Sequence, residues 1–359
     1  MSLSIISFTE NGMRLSERMV DNIAGSMEKK EIALFTKCSL AKENDTATRV
    51  QFVRESIGEW AKVQMEERHT LLFIGACGIA VRAIAPYITD KLQDSPVLVM
   101  DESGEYVIPI LSGHMGGANE IVMKIALVTG AVPVITTATD INKRFAVDLF
   151  AKKNGLHIVN KDGIAKVSSK VLAGKEITLS IEPGHIGENM RKPEGIKLVF
   201  YPPKEPVDIV VTTKETDSQA LIYLKPKEYV IGMGCKKGKE AWKIENLIVR
   251  SMEKAGITKN QIFALASIDR KKEEEGFLIW SRKERVPFLT FSAEQLQEIK
   301  GNFNASAFVK EQVGVDNVCE RAALKACGSK GRLIYEKHTE EGMTIAIAKR
   351  EWRVSFDEE

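Results

Sequence analysis

The segment LLFIGACGIAV at residues 71–81 indicates the fold class, because an apolar strand leads through a glycine turn into a helix. Residues 70–74 are expected to form a buried strand, and residues 79–88 a helix that packs against it. This run of eleven residues contains two glycines, whereas a membrane-spanning helix needs roughly 20 apolar residues. Short apolar runs alternate with amphipathic segments on both sides of the stretch. The pattern therefore predicts helices layered on β-sheets, an α/β fold.

The pattern changes along the chain in a way that predicts a multi-domain protein. Residues 1–138 and 227–359 are predicted to form N-terminal and C-terminal α/β layers, and residues 139–226 a β-rich α+β middle region punctuated by prolines. A helical stripe predicts one long helix over residues 46–67. The polar run at residues 225–228 is interpreted as a linker.

Composition excludes several classes of protein. The 359 residues include 51 Lys and Arg against 49 Asp and Glu, a net charge of +2, whereas nucleic-acid-binding domains usually show a strong basic excess. The 7% of aromatic residues offers little for stacking on bases. The five cysteines form no CxxC pair, which argues against a disulfide framework and a structural zinc site. The N-terminus lacks the basic segment of a secretory signal. We therefore expect a cytoplasmic protein with no bound metal and no nucleic-acid or membrane partner.

The segment ILSGHMGGANE at residues 110–120 combines small residues, a histidine and the start of a helix predicted over residues 116–129. Histidine is the side chain that changes charge near neutral pH, so His114 is the first candidate for a general acid or base. Glu120, in the first helical turn, is the second candidate. The alternative interpretation is a structural turn with a capping Asn or Glu and a solvated histidine.

The glycines of the same segment are suited to a loop that surrounds a ligand. Glycine lets the backbone approach a ligand closely, and a helix start presents unpaired N–H groups to an anion or a developing oxyanion. Gly116 and Gly117 are therefore candidate oxyanion donors, and Gly113 and Asn119 are candidate substrate contacts. The segment is neither a P-loop nor a GxGxxG motif.

Two further segments place polar groups after predicted strands. Arg82 stands at the start of an apolar helix, where it either clamps a carboxylate or lies on the surface with a buried stem. TTATD at residues 136–140 follows a predicted strand, at the end where parallel sheets bind ligands. Thr136, Thr137 and Asp140 are therefore candidate substrate contacts, and an N-cap cluster is the alternative.

The C-terminal region contains a comparable loop. GMGCKKG at residues 232–238 is predicted to connect a strand to a helix, with backbone N–H groups and two lysines available to an anion. The candidate substrate contacts in this region are Gly232, Gly234, Lys236, Lys237, Ser267 and Asp269. Cys235 and the remaining histidines are interpreted as structural.

Taken together, these motifs resemble the cobalt-precorrin-5A hydrolase family of anaerobic cobalamin biosynthesis, the CbiG family. In the N-terminal region the resemblance rests on GIAVRAIAP (78–86), the segment from DKLQ to GGANE (90–120) and PVITTATD (133–140). In the C-terminal region it rests on IGMGCKKG (231–238), LASIDRKKEEEG (265–276) and VGVDNVCERAAL (313–324). The resemblance covers nearly the whole chain. Cys77 and Asn317 stand where the family often has threonine and serine, so neither is interpreted as catalytic.

The resemblance implies a substrate, a reaction and a set of partners. The family acts on a ring-contracted cobalt corrin that carries a δ-lactone. Water opens the lactone, a two-carbon fragment leaves as acetaldehyde, and cobalt-precorrin-5B remains. The cobalt enters with the substrate, so no protein cofactor is expected. Arg82, Lys236 and Lys237 are candidate clamps for the acetate and propionate arms. Transient contacts with neighbouring pathway enzymes and a homodimer are further options.

Two other functions compete with hydrolysis. A non-catalytic carrier of corrinoid intermediates would bind the same substrate and form no acetaldehyde. A nucleotide- or sugar-phosphate-binding enzyme is suggested by the glycine loops alone, and it predicts thermal stabilisation by phosphate ligands. The lack of a P-loop and of a GxGxxG motif counts against that enzyme.

Overall fold

The computed structural model describes residues 2–23, 32–39, 49–90, 92–142, 144–187, 192–301, 303 and 314–356. The chain forms two compact units, Met1–Arg144 and Phe145–Glu359. Over the described ranges, the first unit holds a seven-stranded sheet and the second unit two five-stranded sheets. Helices pack on all three sheets, which confirms the predicted α/β class.

The first unit is built on a mostly parallel sheet. Its strands are β1 (Leu3–Ser7), β2 (Ile32–Thr36), β3 (Val50–Phe52), β4 (Thr70–Ile74), β5 (Val97–Met100), β6 (Tyr106–Leu111) and β7 (Val132–Pro133). Its helices are α1 (Glu10–Ile23), α2 (Ile57–Glu66), α3 (Cys77–Ile84), α4 (Ala118–Thr129) and α5 (Ala138–Ile141). In the order β3-β2-β1-β4-β5-β6-β7, strands β1 to β5 are parallel, β6 is antiparallel to β5, and β7 is parallel to β6. The loops after β6 and β7 therefore lie at the edge where β4 and β5 begin.

The sheet of the first unit is buried on both faces, because alternate side chains of its central strands enter two apolar cores. Leu72 and Met100 face one core together with Val122 of α4. Phe73 faces the other core, where its ring meets Trp60 of α2 edge-on, with 5.7 Å between the ring centroids. This packing fixes the strands from which the functional loops project.

The predicted helix over residues 46–67 is wrong in its first part. Val50–Phe52 forms strand β3, paired in parallel with β2, and the helix begins only at Ile57. Ser56 Oγ accepts the Glu59 N–H, and the Glu59 carboxylate accepts the Ser56 N–H in return. This capping box sets the helix start, whereas apolar spacing alone made the preceding strand look helical. Residues 46–48 lie outside the described residues.

The second unit contains two sheets that follow each other along the chain. The strands of the first sheet are β8 (Leu156–Ile158), β9 (Ile177–Ile181), β10 (Ile196–Val199), β11 (Val207–Val211) and β12 (Ala220–Pro226). The strands of the second sheet are β13 (Tyr229–Cys235), β14 (Ile262–Ile268), β15 (Phe288–Phe291), β16 (Arg332–Glu340) and β17 (Met343–Lys349). The helices are α6 (Val147–Lys153), α7 (Asp162–Leu172), α8 (Ala241–Ala255), α9 (Glu275–Glu284), α10 (Ala293–Gln297) and α11 (Cys319–Cys327).

Both sheets of the second unit are mixed. In the order β10-β9-β11-β12-β8, β8 runs antiparallel to β12 and the other pairs are parallel. In the order β15-β14-β13-β17-β16, the pairs that involve β17 are antiparallel and the others parallel. The carboxyl ends of β9, β11 and β12 therefore meet at one edge of their sheet.

Two further predictions in this unit need correction or fall outside the description. The predicted linker at residues 225–228 is wrong, because β12 continues to Pro226 and β13 begins at Tyr229. Glu228 between them is buried, and its Oε1 lies 2.9 Å from Lys349 Nζ. The pattern of residues 306–312 also predicts a helix, but these residues lie outside the described part of the chain. Within the described residues, no helix combines the length and apolar character needed to cross a membrane.

Candidate active site

The loop at residues 112–117 is a tight turn that joins β6 to α4. Ser112 and Gly117 adopt left-handed backbone conformations, with φ of 58° and 84°. The N–H groups of Gly117 and Ala118 donate to the carbonyl oxygens of His114 and Ser112, at 3.0 and 3.1 Å. The backbone therefore folds back on itself and fixes the position from which the His114 side chain projects.

The His114 side chain meets the segment that follows β7. Its Nε2 lies 3.0 Å from Asp140 Oδ2 and 3.1 Å from Thr139 Oγ1. A carboxylate only accepts hydrogen bonds, so in the neutral imidazole the contact with Asp140 places the proton on Nε2 and the basic lone pair on Nδ1. The histidine side chain is 14% exposed and the aspartate side chain 31% exposed. The pair is therefore partly shielded from solvent and still within reach of a ligand.

Asn119, at the start of α4, completes this cluster. Its Nδ2 donates to Asp140 Oδ2 at 2.6 Å and to Thr137 Oγ1 at 3.1 Å. The residue is 8% exposed, and its Oδ1 has no hydrogen-bond partner among the described residues. Buried polar atoms are rarely left unpaired, so this Oδ1 is suited to accept a hydrogen bond from a bound water or ligand.

Two glycines make room for the cluster. A Cβ on Gly113 would lie 2.7 Å from Asn119 Oδ1, and a Cβ on Gly116 would lie 2.5 Å from Ser112 Cβ. Any other residue would displace the asparagine or the turn. The N–H of Gly117 is already used within the turn, so its prediction as an oxyanion donor is wrong for this conformation. The N–H of Gly116 stays the candidate donor.

Three other predicted residues of this unit are exposed. Glu120 and Thr136 are exposed. Arg82 is also exposed, on α3 after the carboxyl end of β4, and its Nη1 lies 3.5 Å from where a Cβ on Gly78 would be. Because β6 is antiparallel to β5, the loop of His114 lies at the opposite edge of the sheet. The structure therefore does not bring Arg82 to the histidine.

The predicted loop at residues 232–238 is wrong in its first half. Strand β13 continues to Cys235, so Gly232 and Gly234 lie in a strand that pairs with β17. A Cβ on Gly232 would lie 1.9 Å from the carbonyl oxygen of Cys319. Glycine at this position therefore lets α11 pack closely against the sheet, which is a structural role.

The remaining part of this loop already holds an anion that the chain supplies. Glu274 Oε1 accepts the N–H groups of Gly238 and Lys239, at 2.8 and 3.2 Å. Its Oε2 accepts a hydrogen bond from Lys271 Nζ at 2.6 Å. The carboxylate is buried, with Glu274 only 7% exposed. These backbone donors are thus satisfied without a ligand.

The other candidates of the C-terminal region divide into exposed and buried residues. Ser267 is fully buried and its Oγ donates to the Met233 carbonyl at 2.7 Å, which gives it a structural partner. Burial raises the pKa of the Cys235 thiol to about 11, so this thiol stays protonated at neutral pH. The exposed candidates are Lys236, Lys237 and Asp269.

Sequence reasoning missed Thr139, although it lies within the TTATD motif. Its hydroxyl contacts the same His114 nitrogen as Asp140, and the short helix α5 brings the two side chains to one place. Among the described residues, no group of three or more His, Cys, Asp and Glu is arranged to hold a metal ion.

Comparison with known proteins identifies the family. Family models match residues 59–140 (Cobalamin synthesis G N-terminal), 145–226 (Cobalamin biosynthesis central region) and 229–348 (Cobalamin synthesis G C-terminus). The chain is 33% identical over 291 residues to the cobalt-precorrin-5A hydrolase of Salmonella typhimurium, which covers 77% of this chain and 81% of that protein. It is 28% identical over 360 residues to the cobalt-precorrin-5A hydrolase of Priestia megaterium, with 96% and 94% covered. A solved structure of a putative cobalamin biosynthesis protein G homolog from Sulfolobus solfataricus covers 98% of this chain and 97% of its own at 22% identity, with a TM-score of 0.40. On the strength of the family models and the Salmonella relative, the chain belongs to the CbiG family of cobalamin-synthesis proteins.

Proposed function

We propose that this chain is a cobalt-precorrin-5A hydrolase, which opens the δ-lactone of its substrate with water and releases acetaldehyde to leave cobalt-precorrin-5B. The relatives above carry that name, and the cluster of His114, Asn119 and Asp140 lies within the residues that match the family's N-terminal model. The observation that carries the proposal is the 3.0 Å contact between His114 Nε2 and Asp140 Oδ2, because it orients a base and a carrier needs none.

His114 is the base of the lactone-opening step. Asp140 accepts the hydrogen bond from Nε2–H of His114, which leaves the basic lone pair on Nδ1. Nδ1 takes a proton from the attacking water as the water oxygen bonds to the lactone carbonyl carbon. The ester C–O bond then breaks, and the imidazolium returns the proton to the leaving alkoxide. The product carries a carboxylic acid, which loses its proton to solvent, and a free hydroxyl on the same macrocycle. A positioned base of this kind contributes about 10²–10⁴-fold to a rate.

Two other groups of the cluster serve the same step. Asn119 Oδ1 accepts a hydrogen bond from the attacking water and so directs the water's lone pair toward the carbonyl carbon. The N–H of Gly116 stabilises the oxyanion of the tetrahedral intermediate, which bears the charge that develops in the transition state.

The second step releases the two-carbon fragment. The new hydroxyl gives its proton to His114 Nδ1, the C–C bond to the macrocycle breaks, and the hydroxyl carbon becomes the carbonyl of acetaldehyde. The electron pair of the broken bond passes into the conjugated macrocycle, which takes up a proton. The cobalt ion enters and leaves inside the corrin as part of the substrate.

Several finer points belong to the same proposal. The exposed side chains of Arg82, Lys236 and Lys237 are candidate contacts for acetate and propionate arms of the substrate. A cytoplasmic location, transient contact with neighbouring pathway enzymes and a homodimer stay predictions.

Release of acetaldehyde distinguishes the hydrolase from a carrier. Purified protein is mixed with cobalt-precorrin-5A, the visible spectrum reports binding, and NADH oxidation by alcohol dehydrogenase reports acetaldehyde. A hydrolase forms one acetaldehyde for each substrate molecule over many turnovers. A spectral change that saturates at one substrate per protein without acetaldehyde would identify a carrier and contradict the proposal.

A further inference from the structure

The second unit contains a cavity of about 440 Å³ whose lining includes none of the residues singled out from the sequence. Its lining includes Glu182, Thr213 and Glu228, which lie within two residues of the carboxyl ends of β9, β11 and β12. The lining also includes Arg332, the first residue of β16, and Lys349, the last residue of β17. Ligands of α/β proteins commonly bind at the carboxyl ends of parallel strands, so this cavity stands where the fold places binding sites.

The carboxylate of Glu182, in the lining of the cavity, is held by hydrogen bonds from neighbouring residues. Glu182 Oε2 accepts from Thr212 Oγ1 and from the N–H and Oγ1 of Thr213, each at 3.0 Å, and Lys214 Nζ lies 3.1 Å from Oε1. Burial opposes ionisation, but these donors outweigh it and lower the pKa of Glu182 to about 2. Glu182 is therefore an ionised carboxylate that already has its partners.

The lysines of the cavity are paired in the same way. Lys330 Nζ lies 2.9 Å from Glu351 Oε2, and Lys349 Nζ lies 2.9 Å from Glu228 Oε1. With Glu182 paired to Lys214, every carboxylate that lines the cavity has a lysine partner.

The other cationic side chains that line the cavity belong to Arg332 and Arg350. Within the described part of the chain, Arg332 has no acidic partner, and its side chain is exposed at the cavity. Arg350 donates from Nε to the Lys227 carbonyl at 2.9 Å and lies over the Phe263 ring, 3.8 Å from its centroid, so it has carbonyl and aromatic partners. The cavity thus has an excess of positive charge, and the guanidinium of Arg332 is free to take an external carboxylate.

An aromatic pair, His185 and Trp352, forms part of the lining of the cavity. Trp352 is 2% exposed and stacks on His185, with 3.7 Å between ring centroids and 5° between ring planes. The Trp352 carbonyl also lies 2.8 Å from His185 Nδ1. This part of the lining is therefore held by ring stacking and by a hydrogen-bond contact within the chain.

We propose that this cavity binds a carboxylate arm of a corrin polycarboxylate, with Arg332 as the principal contact. The inference rests on the proposed function, which supplies a substrate rich in acetate and propionate arms. Small-ligand pockets have volumes of roughly 300–1,000 Å³, and the cavity, at about 440 Å³, is at the low end of this range. The cavity therefore accommodates a carboxylate arm of the substrate and not the whole macrocycle. The cavity is a specificity site for the charged arms and holds none of the reacting atoms.

Binding of a stable corrin tests this inference without turnover. The probes are dicyanocobyrinic acid, which has free carboxylate arms, and its methyl ester, which has the same ring and no arm charge. Dissociation constants are measured by calorimetry for the wild-type full chain, Arg332→Gln, Arg332→Lys and Arg54→Gln. Arg54 is an exposed arginine of the first unit, and its substitution removes the same charge. Because Arg332 is exposed, its variants are expected to melt within a few degrees of wild type.

We expect Arg332→Gln to weaken binding of the acid by about 5- to 30-fold and Arg332→Lys by less, because lysine keeps the charge but not the bidentate geometry. Arg54→Gln should bind within twofold of wild type, and the ester should bind all variants equally weakly. Equal losses for Arg332→Gln and Arg54→Gln, or equal wild-type affinities for acid and ester, would overturn the inference. So would competition by citrate at the same concentration as the acid, since the site would then select free small carboxylates.

The two proposals fail independently. Normal acetaldehyde release with no loss of affinity in Arg332→Gln overturns the assignment of the cavity and leaves the hydrolase intact. Absence of acetaldehyde with a selective loss in Arg332→Gln overturns the hydrolase and supports the cavity as a site for corrin carboxylates.

Discussion

The glycine-containing segments at residues 112–117 and 232–238 look alike in sequence, but the first is a loop throughout and the second becomes a loop only after β13 ends at Cys235. In the first loop, His114 and Asn119 converge on Asp140, and one buried amide oxygen has no partner among the described residues. In the second loop, the carboxylate of Glu274 occupies the backbone donors. A loop suited to anions is therefore a candidate ligand site only when no side chain of the protein already occupies its donors.

The largest effect that separates the two loops is expected at Asp140. Asp140→Asn removes the acceptor that sets the His114 tautomer, so kcat for acetaldehyde release should fall by about 10³-fold, or about 4 kcal/mol of transition-state stabilisation. Steady-state kinetics measure the rate, and thermal melting within a few degrees of wild type checks the fold. A variant that keeps its rate within threefold would show that the pair is structural.

The next effect belongs to strand β13, just before the second loop, and concerns stability alone. A Cβ on Gly232 would lie 1.9 Å from the Cys319 carbonyl, so Gly232→Ala should lower the free energy of unfolding by about 3 kcal/mol by forcing α11 away from β13. Chemical denaturation measures the loss. The activity of each folded molecule should match that of wild type. A loss of activity without a loss of stability would contradict the structural role of Gly232 and support its prediction as a substrate contact.

A smaller loss of stability is expected where the chain supplies its own anion. Glu274→Gln keeps the size of the side chain but removes the charge that Lys271 and two N–H groups share, and it should cost about 2 kcal/mol. Substrate affinity should be unchanged. If Glu274→Gln instead created a site that binds phosphate or carboxylate tightly, the loop would be an anion site that Glu274 regulates.

The smallest expected effect concerns Glu182, another carboxylate whose partners the chain itself supplies, and it depends on pH. The partners of Glu182 lower its pKa to about 2, so the folded state holds the ionised form and gains stability above the unfolded pKa of about 4.3. Glu182→Gln should therefore cost about 1–2 kcal/mol at pH 7. The difference from wild type should shrink as pH falls from about 4.5 toward 2. Urea titrations at several pH values measure it, and a difference that grows on acidification would contradict this sign.

Much of the fold could be predicted from local pattern. The apolar run at residues 70–74 predicted β4, because a strand buried on both faces of a sheet reads as a nearly continuous apolar stretch. Val50–Phe52 was misread, because a three-residue strand beside an amphipathic helix has the same apolar spacing as the helix. Gly232 was misread because the packing of α11 on β13 is not visible in the local sequence.

The candidate site could be predicted residue by residue but not as an assembly. His114, Asn119 and Asp140 each have chemistry that the sequence shows. Their convergence depends on β6 and β7 lying side by side in parallel, and on the turn at Ser112, which are properties of the folded sheet. The cavity that Arg332 lines brings together residues from two sheets whose strands are distant in sequence. No local sequence motif could therefore predict it.

Acetaldehyde release by His114→Ala and Glu120→Gln, measured side by side with wild type on cobalt-precorrin-5A, tests whether His114 is the catalytic base. We predict that His114→Ala loses at least about 10²-fold in kcat while its fold and substrate-induced spectral change persist, because the base is lost and the binding surface is kept. Glu120→Gln should stay within a few-fold of wild type. A His114→Ala protein that releases acetaldehyde within a few-fold of wild type would contradict the assignment of the His114–Asp140 pair as the catalytic base.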